Sequence, residues 1–86
     1  MEPHDVLLYP LMGEKATALR EKENVLTFIV NPEAGKKDIR EAAEKLLGVK
    51  VTAVNVMHTT EGKKKAHIKL DSKHNADEIA SQMGVL

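Results

Sequence analysis

The sequence predicts an α+β fold: one small domain, residues 1–86, with a mostly antiparallel four-stranded sheet packed with helices. Three observations predict it. Ile39, Ala42, Ala43, Leu46 and Leu47 form one apolar stripe at helical spacing, with Lys36, Lys37, Arg40, Glu41, Glu44 and Lys45 on the opposite side. Val49–His58 and Lys65–Leu70 read as strands joined by a short turn, so they run antiparallel. Strand-like and helix-like stretches follow the order strand, helix, strand, helix, strand, strand, helix, which suits helices packed on one antiparallel sheet.

Each element has a local reason. Val6-Leu7-Leu8-Tyr9 is a short apolar run ended by Pro10, which cannot continue a ladder, so it is expected at a sheet edge. Glu14 to Arg20 reads as a short helix behind Gly13, with Glu14 placed to suit the helix dipole. Glu21 to Asn24 is a polar turn. Val25–Val30 is apolar on both faces except at Thr27, the pattern of a central, doubly covered strand. Asn31 to Gly35 is a loop leading into the main helix, which Gly48 stops.

The strand from Val49 to His58 changes phase. Val49, Val51 and Ala53 are odd, whereas Val54 and Val56 are even. Either a bulge lies near Ala53 or both faces are partly buried. Lys65–Leu70 alternates strictly, with Ala66, Ile68 and Leu70 facing inward. Asn75 caps a last helix, with Glu78 in the position of a capping-box partner and Gly84 as its stop.

Composition narrows the function. Thirteen basic residues balance thirteen acidic ones, so any nucleic-acid binding must come from the distribution of charge, not its total. One Phe, one Tyr and no Trp argue against a base-stacking platform. Cysteine is absent, which excludes disulfides and thiolate metal sites. No apolar run is long enough to span a membrane, and Met1 to Asp5 lack the basic region of a signal peptide. A cytoplasmic protein without membrane insertion is the expectation.

No catalytic or metal motif stands out, and no cofactor is expected. His4, His58, His67 and His74 lack metal-motif spacing. His58 and His67 face each other across the hairpin in one possible register, but two ligands do not make a zinc site. Ser72 and Ser81 stand in no nucleophile motif, and the five glycines are isolated. A small enzyme using His58 or His67 is therefore the weakest reading.

The basic residues lead further. Lys63, Lys64 and Lys65, with Lys69 and His67 on one strand face, make a cationic hairpin. Lys36 and Lys37 open the main helix, where cations are disfavoured and a nearby phosphate would relieve the cost. A solvated lysine turn accounts for the charge pattern as well.

These residues also resemble a family. The chain looks like the large-subunit ribosomal protein of the L-twenty-three family, in the short form of archaeal ribosomes. Tyr9-Pro10-Leu11-Met12-Gly13-Glu14-Lys15-Ala16 is similar to the family's N-terminal segment. Phe28 to Ile39 resembles its strand-loop-helix segment. Val49 to Val56, followed by Lys64 to Leu70, resembles its hairpin and signature. Gly13 and Gly35 depart from the capping residues usual there, and His67 replaces an apolar or aromatic residue.

The resemblance implies a protein that binds large-subunit rRNA beside the peptide exit tunnel, next to other ribosomal proteins. It also implies a docking surface for nascent-chain factors such as the signal recognition particle, with Glu14 matching the docking glutamate. The turn Thr59–Lys64 is too short for the tunnel-lining extension of bacterial relatives. On this reading Lys36, Lys37, Lys63, Lys64, Lys65 and Lys69 neutralise phosphates, with Lys15 and Arg40 as further candidates. Asn55, Thr59 and Thr60 hydrogen-bond sugar or phosphate oxygens. Glu41, Glu44, Asp77 and Glu78 face solvent or neighbouring proteins. The alternative is a free-standing interaction module that pairs its hairpin face with another chain.

Overall fold

The computed structural model describes residues 1–83, and these hold four strands and four helices. The elements are α1 (Pro3–Val6), β1 (Leu7–Pro10), α2 (Glu14–Glu23), β2 (Val25–Val30), α3 (Lys36–Leu47), β3 (Val51–His58), β4 (Lys64–Leu70) and α4 (Ala76–Gln82). The strands form one sheet in the order β1-β2-β4-β3, antiparallel at every junction. The expected α+β class and sheet are thus observed.

Register decides what the two faces of the sheet carry. Val25 to Val30 pair with Lys69 to Lys64 without a break, so β2 and β4 share faces residue by residue. One face holds Leu26, Phe28, Val30, Ala66, Ile68 and Leu70. Against it pack Ile39, Ala42 and Ala43 of α3, Val6 of α1, and Ala76 and Ala80 of α4. Ile39 and Ile68 are fully buried there, and truncating either to alanine should cost about 2–5 kcal/mol. A domain of ordinary stability holds only about 5–15 kcal/mol in all, so this single core carries the fold.

The other face bears Val25, Thr27 and Ile29, with Lys65, His67 and Lys69 beside them. Helix α2 lies on this face but leaves its β4–β3 half open; Asn55 and Met57 of β3 are exposed there. All six residues of β2 are buried, the doubly covered strand that its sequence predicts.

The phase change in β3 is a bulge. Val51 pairs with Leu70 and Ala53 with Lys69, so Thr52 is the extra residue. Its insertion brings Val51 and Val54 to the same core. Helix α3 reaches over the start of this edge strand. Arg40 Nη1 donates to Val51 O at 3.2 Å, and Val51 N donates to Glu44 Oε2 at 3.2 Å. At the opposite edge, β1 has its own irregularity at Leu8.

Several boundaries differ from expectation. One helical turn, Pro3–Val6, precedes β1, with proline at its start. Helix α2 continues through Glu23, past the polar turn expected at Glu21–Asn24. Asn24 closes it in the left-handed region at φ 59°. Strand β3 begins at Val51, although Val49 is buried in the core, and β4 begins at Lys64. The Asn75 cap is present, with its side chain accepting from Glu78 N at 3.1 Å. The expected stop at Gly84 lies outside the described residues.

Candidate nucleic-acid interface

The cations divide into groups that the sequence alone merges. Val30, Lys64 and His58 lie at one end of the sheet, where α3 also begins. Lys64 Nζ donates to Ala34 O at 2.6 Å and to Pro32 O at 3.3 Å. That grip ties the hairpin to the loop ahead of α3, so Lys63, Lys64, Lys36 and Lys37 gather at this end. Lys36 and Lys37 are exposed. Their helix is capped by Gly35, whose N–H donates to Asp38 Oδ2 at 3.0 Å, the one side-chain bond a glycine cap leaves available.

The hairpin turn is tightly built. Thr59 N donates to Lys63 O at 2.8 Å, Gly62 N to Thr59 O at 3.0 Å, and Lys63 N to Thr59 Oγ1 at 3.1 Å. Gly62 takes φ +82°, which favours glycine. The Thr59 hydroxyl is thus engaged within the turn, whereas Thr60 is exposed. Lys63 leaves the turn toward β1, where its Nζ lies 3.0 Å from Tyr9 Oη. The Tyr9 hydroxyl holds the Lys63 ammonium above its ordinary range.

Lys64 does not share a face with Lys65, His67 and Lys69. It points to the α3 side, while Lys65, His67 and Lys69 share the opposite face, as the strict alternation of Lys65–Leu70 predicts. Lys65 and His67 line a groove of ≈ 200 Å³ with Lys15, Leu11, Ala16 and Leu19 under α2. His67 Nδ1 and Thr27 Oγ1 share a hydrogen bond of 3.1 Å. Burial, then the charges of Lys65 and Lys15, push the His67 imidazole below its ordinary value. Lys69 sits about 17 Å along β4 from Lys64, at the far end of the sheet. Glu14 is exposed in the first turn of α2.

Other expectations change with the register. His58 pairs with Lys64 and His67 with Asn55, so the two histidines do not face each other. Arg40 and Glu44 are engaged at Val51, and Asp77 meets Arg20, so two of the four acids expected to face outward have internal partners. Glu41 and Glu78 remain exposed. Tyr9 went unremarked as a polar partner; being the sole tyrosine and exposed on an edge strand was its signal.

Fold and surface together define a small α+β protein with a cationic end and a half-open sheet face. Comparison with known proteins makes this specific. The family model described as Ribosomal protein L23 matches residues 5–78. The chain is 42% identical over 85 residues to "Large ribosomal subunit protein uL23" of Methanococcus vannielii, covering 99% of each chain. It belongs to the ribosomal protein L23 family. This is a family of structural ribosomal proteins, not a class of enzymes.

Proposed function

We propose that this protein is a structural constituent of the large ribosomal subunit and binds large-subunit rRNA. Its place is beside the peptide exit tunnel, among neighbouring ribosomal proteins in the cytoplasm. The observation that carries the reading is the convergence of Lys36, Lys37, Lys63 and Lys64 at one end of the sheet. Arranged this way, a chain of zero net charge still offers a phosphate backbone a concentrated positive surface. Lys15 and Lys65 extend this surface on the face under α2, with Asn55 and Thr60 available to sugar and phosphate oxygens. Lys69 makes a separate contact at the far end, and Arg40 contributes mainly through its grip on β3.

Glu14 serves as a contact for factors that meet nascent chains, the signal recognition particle among them. Its exposure and the family's position for a docking glutamate support this role.

Binding to large-subunit rRNA fragments across a fourfold range of salt tests the main reading. Five neutralised phosphates, at a duplex-like slope near 0.9 per contact, should cost roughly 500-fold in affinity. A steep loss with one preferred fragment supports it. Flat, weak binding to every fragment would instead favour pairing of the hairpin face with another protein. For Glu14, the test is the affinity of signal recognition particle for ribosomes carrying Glu14→Lys; an unchanged affinity removes that assignment.

A further inference from the structure

Tyr9 and Lys63 have a geometry that leaves one binding element unused. The Lys63 ammonium is 3.0 Å from the Tyr9 hydroxyl and 5.6 Å from the ring centre. The difference is nearly the whole distance from the centre of a phenol ring to its oxygen. The ammonium therefore lies beyond the hydroxyl edge, almost in line with it, and not over the π face. Tyr9 itself is 41% exposed. The ammonium thus leaves both ring faces of this exposed residue uncovered while a cation is held at their rim.

The surroundings select the partner. Tyr9 pairs with Ile29, Ile29 with Lys65, and Lys65 with Met57, so these four residues form one row across the sheet. Ile29 is buried and Met57 is 39% exposed. At about 4.8 Å per strand, the Lys65 backbone lies about 10 Å from that of Tyr9. Lys65 stands half-buried on the same face, beside the groove under α2, so a ligand on the ring would have Lys63 at its rim and Lys65 two strands away on the same side of the sheet. A flat apolar body bearing negative charge matches this combination, and an unpaired nucleotide has that chemistry.

We infer that Tyr9 seats one unpaired rRNA nucleotide, its base stacked on the ring and its flanking phosphates held by Lys63 and Lys65. The inference rests on the rRNA-binding reading and adds to it a site for an extruded base. One tyrosine is too little for a general single-strand platform, and it suffices for one base. A continuous duplex would not use it, because paired bases keep their faces inside the stack.

The chain supplies its own reporter. With one tyrosine and no tryptophan, its intrinsic emission comes from Tyr9 alone. The experiment titrates the full chain with the rRNA fragment preferred in the salt series, and with a plain duplex of the same length. Tyr9→Phe and Tyr9→Leu are measured alongside by filter binding, with circular dichroism as the check on folding. The rRNA fragment should quench the emission, and the duplex should not. Tyr9→Phe should bind within about threefold of the parent, whereas Tyr9→Leu, which keeps apolar bulk without a π face, should bind roughly 5- to 150-fold more weakly, the range of one base–aromatic stack. Salt-steep rRNA binding with unchanged emission, or a folded Tyr9→Leu chain of parental affinity, overturns this site and leaves the rRNA reading standing. Failure of every fragment to bind overturns both.

Discussion

Arg20 and Asp77 are 57 positions apart, yet Arg20 Nε donates to Asp77 Oδ1 at 3.0 Å and so joins α2 to α4. The pair is lopsided: the Arg20 side chain is 3% exposed and that of Asp77 is 45% exposed. Arg20 also donates to Met12 Sδ and Thr17 Oγ1, both at 3.2 Å. A buried guanidinium is costly to strand, whereas a half-exposed carboxylate can fall back on water.

Removing the acid should therefore hurt more than removing the base with its volume preserved. Asp77→Ala should destabilise the domain by about 2–3 kcal/mol, and Arg20→Met by about half as much. Urea unfolding of both variants measures the difference. Equal losses would mean that packing, not charge, sets the value of this pair.

The two glycine caps mark places where stability has been left unused. A Cβ built at Gly13 meets nothing within 4 Å, and one at Gly35 meets only Asp38 Oδ2 at 3.9 Å. Both backbones are extended, at φ −65° and −90°. Gly13→Ser and Gly35→Thr should each add about 0.5–1 kcal/mol, partly as a new cap and partly by restricting the unfolded chain. Thermal midpoints provide the check, and a fall at either site would reveal a clash absent from this geometry.

Lys63 and Lys64 should separate binding from folding. Lys63→Ala should weaken rRNA binding and lower the salt slope by about 0.7–0.9, with the unfolding midpoint nearly unchanged. Lys64→Ala releases the carbonyls of Pro32 and Ala34, so it should also cost about 1 kcal/mol of stability. Parallel salt titrations and urea curves distinguish the two. If both variants behave alike, the division of roles between adjacent lysines is wrong.

His67 gives a signed pH dependence. Its folded-state pKa is pushed below the ordinary 6.5, first by burial and then by Lys65 and Lys15. The unfolded chain therefore takes up this proton at higher pH than the folded one. The stability linked to His67 is complete above about pH 6.5 and is lost as pH falls from there toward the lower folded value. Urea midpoints of the parent and His67→Gln, taken from about pH 7.5 to about pH 5, should diverge in that way. A constant difference across the range would remove His67 from the acid response.

Much of the fold was legible because periodicity reports burial. The doubly apolar Val25–Val30 gave a central strand, and the odd-to-even change around Ala53 left a bulge or two partly buried faces, of which the structure has the bulge, at Thr52. Helix α1 was not legible, because a single turn is too short to show a period. The last turn of α2 was hidden by Glu21-Lys22-Glu23, which suits a solvated helix end as well as a polar turn.

Asn24 shows what local pattern cannot reach. Its Nδ2 donates to His74 O and its Oδ1 accepts from Ala76 N, both at 2.8 Å, binding the α2–β2 corner to the approach of α4. Those partners are 50 and 52 positions away, so no window around Asn24 contains them. In the candidate interface the strand face of Lys65, His67 and Lys69 was legible from alternation, whereas the tie of Lys64 to the loop ahead of α3 was not. That Lys64 would turn inward to Ala34 while Lys65 faces α2 depends on the exact start of β4, a one-residue matter on which every side chain of a strand depends.

The clasp of Arg40 and Glu44 on Val51 bears on how copies of this chain meet one another. A sheet edge left bare is a template on which identical chains can add, strand upon strand. Here the start of β3 is closed by two side chains of α3, and β1 is interrupted by Leu8 and finished by Pro10, which has no N–H to offer. Both edges of the sheet are thereby partly blunted as templates, which disfavours edge-to-edge pairing between identical chains.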